Sequence, residues 1–359
     1  MVTQFPIGTS PTHEQIDAYE LKCDDYAVRV MNFGATILKI IAPDAHGIPA
    51  DIVLGFDRTE DYFDNPACFG ATIGPSANRS NKAEVVVDGK TYQLPKNEGP
   101  NNRNNLHTDL NSGLHKRVWD TELDEENNSV IFSLDLADGV FGLPGNRHFT
   151  VRYTLTEIED GAELKCTHTV TTDTPTFVNM SNHAYFNLRG ATQPGGGEAT
   201  VQLKAHLYIP LREDSVSRGD IAPVAGTPFD FTQPKSLLKD INADDPQLKI
   251  AHGYDHCFVI DGWKAGAAPR PALHAKDTRS GRTLDMLLTA PGAHLYTGNW
   301  LGDKDAKGGV DYHPQSGFAF EAEYYPDCSH HPDWPQPICK PGCPYSEQII
   351  WRLGHTTQA

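Results

Sequence analysis

The sequence is poor in positive charge and has no long apolar run. Its 359 residues include 30 lysines and arginines against 47 aspartates and glutamates, which gives a formal net charge of -17. Nucleic acids, anionic membranes and polyphosphorylated compounds attract basic surfaces, so this charge argues against all three as main partners. No stretch approaches the roughly 20 apolar residues of a membrane-spanning helix. We therefore expect a neutral ligand held mainly by hydrogen bonds, with no nucleic acid and no membrane as partner.

Motifs of nucleotide and covalent chemistry are also missing. The chain contains no Walker loop, no G-x-G-x-x-G after a strand and no G-x-S-x-G nucleophile elbow. Nucleotide-dependent reactions and an acyl-serine mechanism therefore have no support.

Cysteine usage and the first residues indicate the cytoplasm. The seven cysteines are an odd number, and most stand singly along the chain, which is typical of reduced thiols. Residues 1–12 lack a basic segment followed by an apolar h-region, so we expect no secretory signal. The glycosylation sequons at Asn78 and Asn179 fall in segments that are interpreted below as lining a site, which a glycan would block.

Alternation of apolar and polar residues dominates the chain, whereas helical periodicity is scarce. Strands are predicted at residues 26–32, 36–41, 84–87, 90–94, 129–136, 148–157, 162–172, 200–203, 208–211, 256–260, 283–288, 294–300 and 317–324. Asp88-Gly89 is a strong hairpin turn. Helices are predicted only at residues 12–16 and 234–238. With no linker or repeat, we expect an all-β fold: one large antiparallel β-sandwich domain over residues 1–359, with few short helices.

One histidine stands in an unusually polar and aromatic segment, residues 177–188. His183 is surrounded in sequence by Asn179, Asn182 and Asn187, and by Tyr185. An imidazole titrates near neutral pH and can both give and take a proton there. The alternative is a buried structural histidine whose hydrogen bonds are satisfied by the asparagines.

Two glutamates lie on one face of a strand that is otherwise apolar. Alternation over residues 318–327 places Glu321 and Glu323 on the face opposite Phe318 and Phe320. Buried carboxylates are costly, so one interpretation is that this face is exposed to solvent. If the face instead lines a cleft, mutual repulsion raises one pKa towards that of a general base.

Further polar residues are candidates for ligand contacts. A turn presents Asn78 and Arg79, His107 follows the polar run 101–105, Asp255 precedes an apolar strand, and Asn299 ends an aromatic strand as an exposed residue. An arginine fork can grip two neighbouring hydroxyls. Each has an ordinary alternative: a surface arginine, a solvated loop, a turn former and strand packing.

Nitrogen and sulfur ligands cluster near the end of the sequence and raise the possibility of zinc. The residues are Cys328, His330, His331, Cys339 and Cys343. Their spacing matches no zinc-ligand signature, so we favour a chain with no structural metal. Whether Cys339 and Cys343 form a disulfide is left open.

These segments, in this order, resemble the aldose 1-epimerase (galactose mutarotase) family. The motifs are Asn32-Phe33-Gly34-Ala35-Thr36, Gly70-Ala71-Thr72-Ile73-Gly74, Ala77-Asn78-Arg79, Asn105-Leu106-His107, Lys116-Arg117-Val118-Trp119, Gly142-Leu143-Pro144-Gly145-Asn146, Asn182-His183-Ala184-Tyr185-Phe186-Asn187, Gly226-Thr227-Pro228-Phe229-Asp230-Phe231, Gly253-Tyr254-Asp255-His256, Tyr296-Thr297-Gly298-Asn299 and Pro326-Asp327. The resemblance implies a large β-sandwich with an open sugar cleft, no cofactor and no metal. It further implies interconversion of the α and β anomers of free aldoses such as glucose and galactose.

The resemblance also implies roles for single residues. His183 resembles the general acid that protonates the ring oxygen, and Glu321 resembles the base that takes the proton from the anomeric hydroxyl. Arg79, His107 and Asp255 resemble the residues that hold the sugar hydroxyls. The remaining positions expected to contact the monosaccharide substrate are Asn78, His294 and Glu323. We expect a monomer or a homodimer.

The chain departs from the family pattern at three places. Glu323 and His294 stand where glutamines are usual, and Thr108-Asp109 replaces a common pair of glycines. These changes leave the preferred sugar open. Glu323 adds a negative charge beside Glu321. An alternative hypothesis is that Glu323 and His294 form an ion pair, which would leave the base Glu321 unperturbed.

Two other functions are compatible with these residues. One is a same-fold enzyme with a changed reaction or sugar, such as a sugar lactonase or an epimerase of an unusual sugar. The other is a non-catalytic carbohydrate-binding sandwich. Polarimetry of fresh α-glucose and α-galactose distinguishes them from a mutarotase.

Overall fold

Antiparallel strands are the main regular structure in the computed structural model, which describes residues 2–356. The largest sheet has nine strands, in the order Asp120–Asp124, Ser129–Leu136, Arg147–Ile158, Gly161–Thr172, Tyr345–His355, Arg282–Leu288, Arg270–Lys276, Thr200–Leu203 and Lys235–Ser236. Strand Tyr345–His355 thus pairs on one side with Gly161–Thr172 and on the other with Arg282–Leu288. We call it the central strand.

A six-stranded sheet and a five-stranded sheet complete the framework. The six-stranded sheet has the order Tyr185–Phe186, Phe318–Glu323, Gly292–Tyr296, Asp255–Val259, Leu207–Tyr208 and Ala222–Pro223. The five-stranded sheet runs Val2–Thr9, Gln15–Cys23, Tyr26–Met31, Thr36–Pro43 and Pro49–Asp51. Two-stranded ladders join Arg79–Ser80 to Asn105–Leu106, Thr72–Ile73 to Ser181–Asn182, Thr176–Phe177 to Ile338–Cys339, and Glu84–Val87 to Lys90–Gln93.

Helical segments within residues 2–356 are short. The α-helices are Asp61–Asp64 and Pro246–Ala251. The 3-10 helices are Asn81–Ala83, Pro100–Asn102, Leu114–Lys116, Val140–Gly142, Gly196–Glu198, Lys307–Gly309 and Cys328–His330. No helix in this part of the chain is long and apolar enough to cross a membrane.

The main core lies where the sheets pack face to face. Phe186 of the six-stranded sheet meets Trp351 of the central strand with ring centroids 6.4 Å apart. Tyr19 of the five-stranded sheet meets Phe132 of the nine-stranded sheet at 5.6 Å. All four side chains are buried, and their apolar area removed from water stabilises the stacked sheets. The predicted all-β antiparallel sandwich is confirmed.

Both predicted helices are wrong. Residues 12–14 belong to a turn, in which the Ser10 hydroxyl accepts the N–H groups of Thr12 and Glu14 and His13 has a φ of 66°. Residues 15 and 16 already belong to strand Gln15–Cys23. Residues 234–238 contain the edge strand Lys235–Ser236.

Sequence reasoning also missed helix Pro246–Ala251. Asp245 caps it by accepting the N–H groups of Gln247 and Leu248, and Pro246 occupies the first turn. Asp followed by Pro is a typical helix start, so the signal was present. The missed strands Val2–Thr9 and Gln15–Cys23 are held by mutual pairing, which local alternation does not reveal.

Candidate active site

Strand Phe318–Glu323 forms the floor of the site. All six of its residues are buried. Phe318 and Phe320 point into the main core, so Glu321 and Glu323 lie on the opposite face, as alternation predicts. That face is not exposed to solvent, because Glu321 is only 2% exposed and Glu323 has no exposed surface. The solvent-exposed interpretation of the two glutamates is therefore wrong.

His183 faces Glu321 across this floor. His183 Nε2 lies 3.5 Å from Glu321 Oε1, and both side chains are almost completely buried. The His183 backbone is fixed by Ala71, whose carbonyl accepts the His183 N–H at 2.8 Å. The neighbouring asparagines bind backbone groups instead of the imidazole; Asn182, for example, donates to the carbonyl of Gly70 at 2.9 Å. The interpretation of His183 as a histidine satisfied by asparagines is wrong.

His107 approaches His183 edge-on, with ring centroids 5.4 Å apart. Its Nδ1 accepts the backbone N–H of Asn78 at 3.1 Å, so the proton of the neutral ring is on Nε2. Burial, with the nearby charge of His183, lowers the pKa of His107 well below its ordinary value. His107 is therefore a neutral hydrogen-bond donor in a fixed orientation.

Left-handed backbone shapes the turn that carries His107. The φ angles of His107 and Thr108 are 51° and 69°, in a region that favours glycine. Thr108 is held there because its hydroxyl accepts the Ser76 N–H at 2.7 Å and donates to the Ser76 carbonyl at 3.2 Å. These bonds allow threonine to replace a glycine without releasing the turn.

Arg79 and Asp255 form a charged wall beside the two histidines. Arg79 Nε lies 3.1 Å from Glu98 Oε1, and its Nη1 lies 3.5 Å from Asp255 Oδ2. His294 Nε2 contacts the other oxygen of Asp255 at 2.7 Å. Burial alone would raise the pKa of Asp255, but Arg79 and His294 outweigh it and hold that pKa below its ordinary value. Asp255 is therefore an ionised acceptor at neutral pH.

Glu323 and His294 lie within reach of each other, as the sequence predicts. His294 Nδ1 is 3.3 Å from Glu323 Oε1. Asn78 Nδ2 lies 3.3 Å from the same oxygen and 3.0 Å from His294 Nδ1. Glu323 is fully buried behind His294.

These side chains enclose a cleft of about 560 Å³. Seven of the eight predicted site residues line it: Asn78, Arg79, His107, His183, Asp255, His294 and Glu321. Glu323 is the exception, because it lies one layer behind. The rest of the wall includes Tyr185 and Tyr296, which pack edge to face, and the 68% exposed Trp300. Glu98 was missed, since nothing marks it in its polar loop.

Comparison with known proteins identifies the family. The sequence model described as "Aldose 1-epimerase" matches residues 17–352. The chain belongs to the aldose 1-epimerase family. Galactose mutarotase from Bos taurus is 36% identical to it over 97% of this chain and 95% of that protein. Aldose 1-epimerase from Escherichia coli (strain K12) is 36% identical over 89% of each chain.

Solved structures agree with this membership in the aldose 1-epimerase family. Galactose 1-epimerase from Lactobacillus acidophilus superposes with a TM-score of 0.83 at 26% identity and covers 99% of each chain. An aldose epimerase homologue from C. elegans gives 0.83 at 28% identity, covering 94% of this chain and 98% of its own. The predicted resemblance is confirmed, and the chain is an enzyme, an isomerase that acts on sugars. The names of these relatives favour neither of the alternative functions.

Burial sets the protonation of the central pair in this aldose 1-epimerase family member. It lowers the pKa of His183 to about 4. Burial raises the pKa of Glu321 well above its ordinary value, and the negative charges of Glu323 and Asp255 act in the same direction. The positive charges of His294 and Arg79 lower this pKa but do not outweigh the burial. Both shifts favour a neutral His183 and a protonated Glu321 over the ionised pair.

Within residues 2–356, one group of potential metal ligands lies close together. It consists of His107, His183 and Glu321, whose ligand atoms are within 4.8 Å of one another. The protonated Nε2 of His107 cannot bind a metal, so this donor set suits a sugar better. The zinc interpretation near the end of the chain is wrong, since those cysteines and histidines form no such group in the described residues. Cys339 and Cys343 are free thiols.

Two polar segments play structural roles. Asn299, expected to be exposed, is buried and donates to the carbonyls of Ala251 and Tyr254. The run 101–105 lies outside the cleft, where Arg103 pairs with Asp214 at 2.7 Å. Neither segment contributes to the sugar site.

A second depression, of about 760 Å³, is lined by Lys39, Arg189, Arg279, Arg282 and Lys307. Most of these positive side chains have hydrogen-bond or ion-pair partners within the protein. Arg189 pairs with Asp277 at 2.9 Å, Lys307 pairs with Asp51 at 2.8 Å, and Arg282 donates to backbone carbonyls. We assign these cations to holding loops together.

Proposed function

We propose that the chain interconverts the α and β anomers of free aldoses such as glucose and galactose by acid–base opening and closing of the ring. One observation carries the assignment of roles. His183 and Glu321 are 3.5 Å apart and buried in a cleft whose volume of about 560 Å³ accommodates a monosaccharide. Opening a hemiacetal needs one proton given to the ring oxygen and one taken from the anomeric hydroxyl.

Glu321 acts as the base and His183 as the acid. In the forward step, the Glu321 carboxylate removes the proton from O1 while the His183 imidazolium protonates the ring oxygen, and the C1–O5 bond breaks. Rotation about C1–C2 presents the other face of the aldehyde. Reclosure runs both proton transfers backwards and returns Glu321 and His183 to their starting states.

Burial favours this proton movement. Ring opening converts a carboxylate and an imidazolium into a neutral carboxyl and a neutral imidazole. The raised pKa of Glu321 and the lowered pKa of His183 both favour that neutral pair. The site thus stabilises the protonation state that accompanies the open-chain aldehyde, and the ionised pair is formed with the sugar in place.

The remaining wall orients the sugar. Arg79 offers a guanidinium fork, Asp255 offers a carboxylate and His107 offers its Nε2 proton. Asn78 and His294 also face the cleft, while Glu323 supports His294 from behind. The rings of Tyr185 and Tyr296 provide apolar surface for the C–H face of the sugar.

Polarimetry tests the proposal. Fresh α-glucose and α-galactose should reach rotational equilibrium faster with the enzyme than in buffer, and no acceleration of either would refute it. His183→Asn should lower kcat about 10²- to 10⁴-fold, the typical contribution of a positioned acid or base. His274→Asn is the control, because His274 lies outside the cleft on the nine-stranded sheet. Unchanged turnover in His183→Asn would instead favour a sugar-binding sandwich.

We further propose that this single-domain enzyme works in the cytoplasm as a monomer or homodimer. All seven cysteines are free thiols, and the sequon residues Asn78 and Asn179 are buried, which supports a reducing compartment without glycosylation. Light scattering on the 39.5 kDa chain measures the oligomeric state. Fractionation of cells measures the location.

A further inference from the structure

A buried cluster behind the sugar cleft joins one imidazole to two carboxylates. His294 is 2% exposed; its Nε2 lies 2.7 Å from Asp255 Oδ1 and its Nδ1 lies 3.3 Å from Glu323 Oε1. Glu323 has no exposed surface. A fully buried carboxylate is strongly destabilising unless a positive charge compensates it. Arg79 already shares Asp255 with His294, so an imidazolium at His294 is the cation next to Glu323.

Strand register brings this cluster against the catalytic base. His294 stands directly opposite Glu321 in the pairing of strands Gly292–Tyr296 and Phe318–Glu323, and Gly292 stands opposite Glu323. Side chains of directly opposite residues share one face of the sheet, with Cβ atoms about 5 Å apart. Any charge on His294 or Glu323 therefore acts on Glu321 at short range.

We propose that His294 and Glu323 are positioning residues that form a charge-compensated pair, which orients Asp255 for the sugar and adds no net charge beside Glu321. With both ionised, the pair adds one positive and one negative charge beside Glu321. Either charge alone would shift the proton balance between Glu321 and His183. The kinetic part of this inference rests on the proposed mutarotase reaction.

Other charged or titratable groups also face the pair and the base. They are Cys68, Arg79, Glu98, His107, His183, Tyr185, Asp255, His256, Cys257, Tyr296 and Cys328. Burial keeps the cysteines and tyrosines neutral by raising their pKa values, and it keeps His107 and His256 neutral by lowering theirs. The cation that compensates Glu323 is then His294, because Arg79 is engaged with Glu98 and Asp255.

A competing arrangement has a different charge. Asn78 Nδ2 lies 3.0 Å from His294 Nδ1, a contact that would suit a neutral ring accepting from the amide, with Glu323 protonated. Burial would lower the pKa of His294, but its bonds with Asp255 and Glu323 raise that pKa to about 10. The two arrangements differ by the position of one proton, which is measurable.

Nitrogen-15 NMR of histidine-labelled protein measures that proton without reference to activity. The signal lost in His294→Gln identifies the ring. We expect both of its nitrogens to be protonated from pH 6 to pH 8. A neutral ring at pH 7 would overturn the proposal, whatever the enzyme's reaction.

The pH profile of kcat/KM measures the effect on catalysis. Glu323→Gln leaves the His294 imidazolium uncompensated, and this positive charge lowers the pKa of both Glu321 and His183. The acidic and the basic limb of the pH profile should therefore both move to lower pH by about 1 unit. In the double variant His294→Gln, Glu323→Gln two neutral amides restore the charge, and the limbs should return to their original positions. KM should stay raised, because Asp255 has lost a hydrogen bond.

A surface pair provides the matched control. His274 and Asp285 face each other across paired strands at 2.8 Å but are about half exposed. Asp285→Asn should leave the pH profile in place. Thermal unfolding shows whether Glu323→Gln folds. The proposal is refuted if the folded Glu323→Gln variant leaves both limbs of the pH profile in place. It is also refuted if the double variant keeps the displaced limbs. Absence of mutarotation in the unmodified enzyme would refute the proposed function alone.

Discussion

Replacing the base should make the protein more stable while it removes activity. Glu321 is 2% exposed, and its Oε2 has no hydrogen-bond partner among the described residues. Burial raises its pKa well above the ordinary value, so the folded chain binds this proton more tightly than the unfolded chain does. Stability is therefore lost as the pH rises from about 4.3, the unfolded pKa, through the folded pKa.

The size of the effect follows from the same linkage. Each pH unit by which the folded pKa exceeds the unfolded pKa costs about 1.4 kcal/mol at neutral pH. Glu321→Gln removes this cost with little change in shape. We expect a gain of at least about 1 kcal/mol in the free energy of unfolding at pH 7, with a fall in kcat of about 10²- to 10⁴-fold.

Urea unfolding at pH 7 and pH 5, together with polarimetry, measures both quantities. The gain in stability should shrink at pH 5, because Glu321 is then more nearly protonated in both states. Glu163→Gln is the control: Glu163 pairs with Arg352 at the surface, so its loss should change stability by about 1 kcal/mol or less. A Glu321→Gln variant less stable than the original chain at pH 7 would refute the reasoning.

Two further substitutions separate binding from folding. Arg79→Lys keeps the positive charge but loses the forked guanidinium, so KM should rise about tenfold with a smaller change in kcat. Steady-state polarimetry measures both constants, and an equal fall in kcat and kcat/KM would contradict this expectation. Lys307→Met leaves Asp51 without its buried partner, so the free energy of unfolding measured in urea should fall by about 3–5 kcal/mol while kcat stays unchanged. A fall of less than about 1 kcal/mol would show that this ion pair does not stabilise the fold.

Local chemistry made parts of the fold predictable. The hairpin around Asp88-Gly89 was predicted to within one residue, because both turn residues need positive φ and have values of 48° and 77°. Strand Ser129–Leu136 has the predicted bounds, since its alternation matches one buried face. Residues 234–238 failed because pairing with strand Thr200–Leu203 overrode their helical tendency.

The residues of the site were predictable from the sequence, but which of them line the cleft and which lie behind it was not. The ordered motifs indicated that His183 and Glu321 belong together, although 138 positions separate their numbers in the sequence. Local sequence could not show that the Glu321 face is covered, because His183, which faces Glu321, comes from a distant segment. It also could not place Glu323 behind His294, since that depends on strand register.

The position of the central strand, Tyr345–His355, has a consequence for synthesis. It pairs with Gly161–Thr172 and with Arg282–Leu288, both of which leave the ribosome earlier. Until it arrives, those two strands present unpaired edges, which are prone to association with other chains. We therefore expect nascent chains that stop before residue 345 to need protection from aggregation, and activity to emerge only after the sheet has closed.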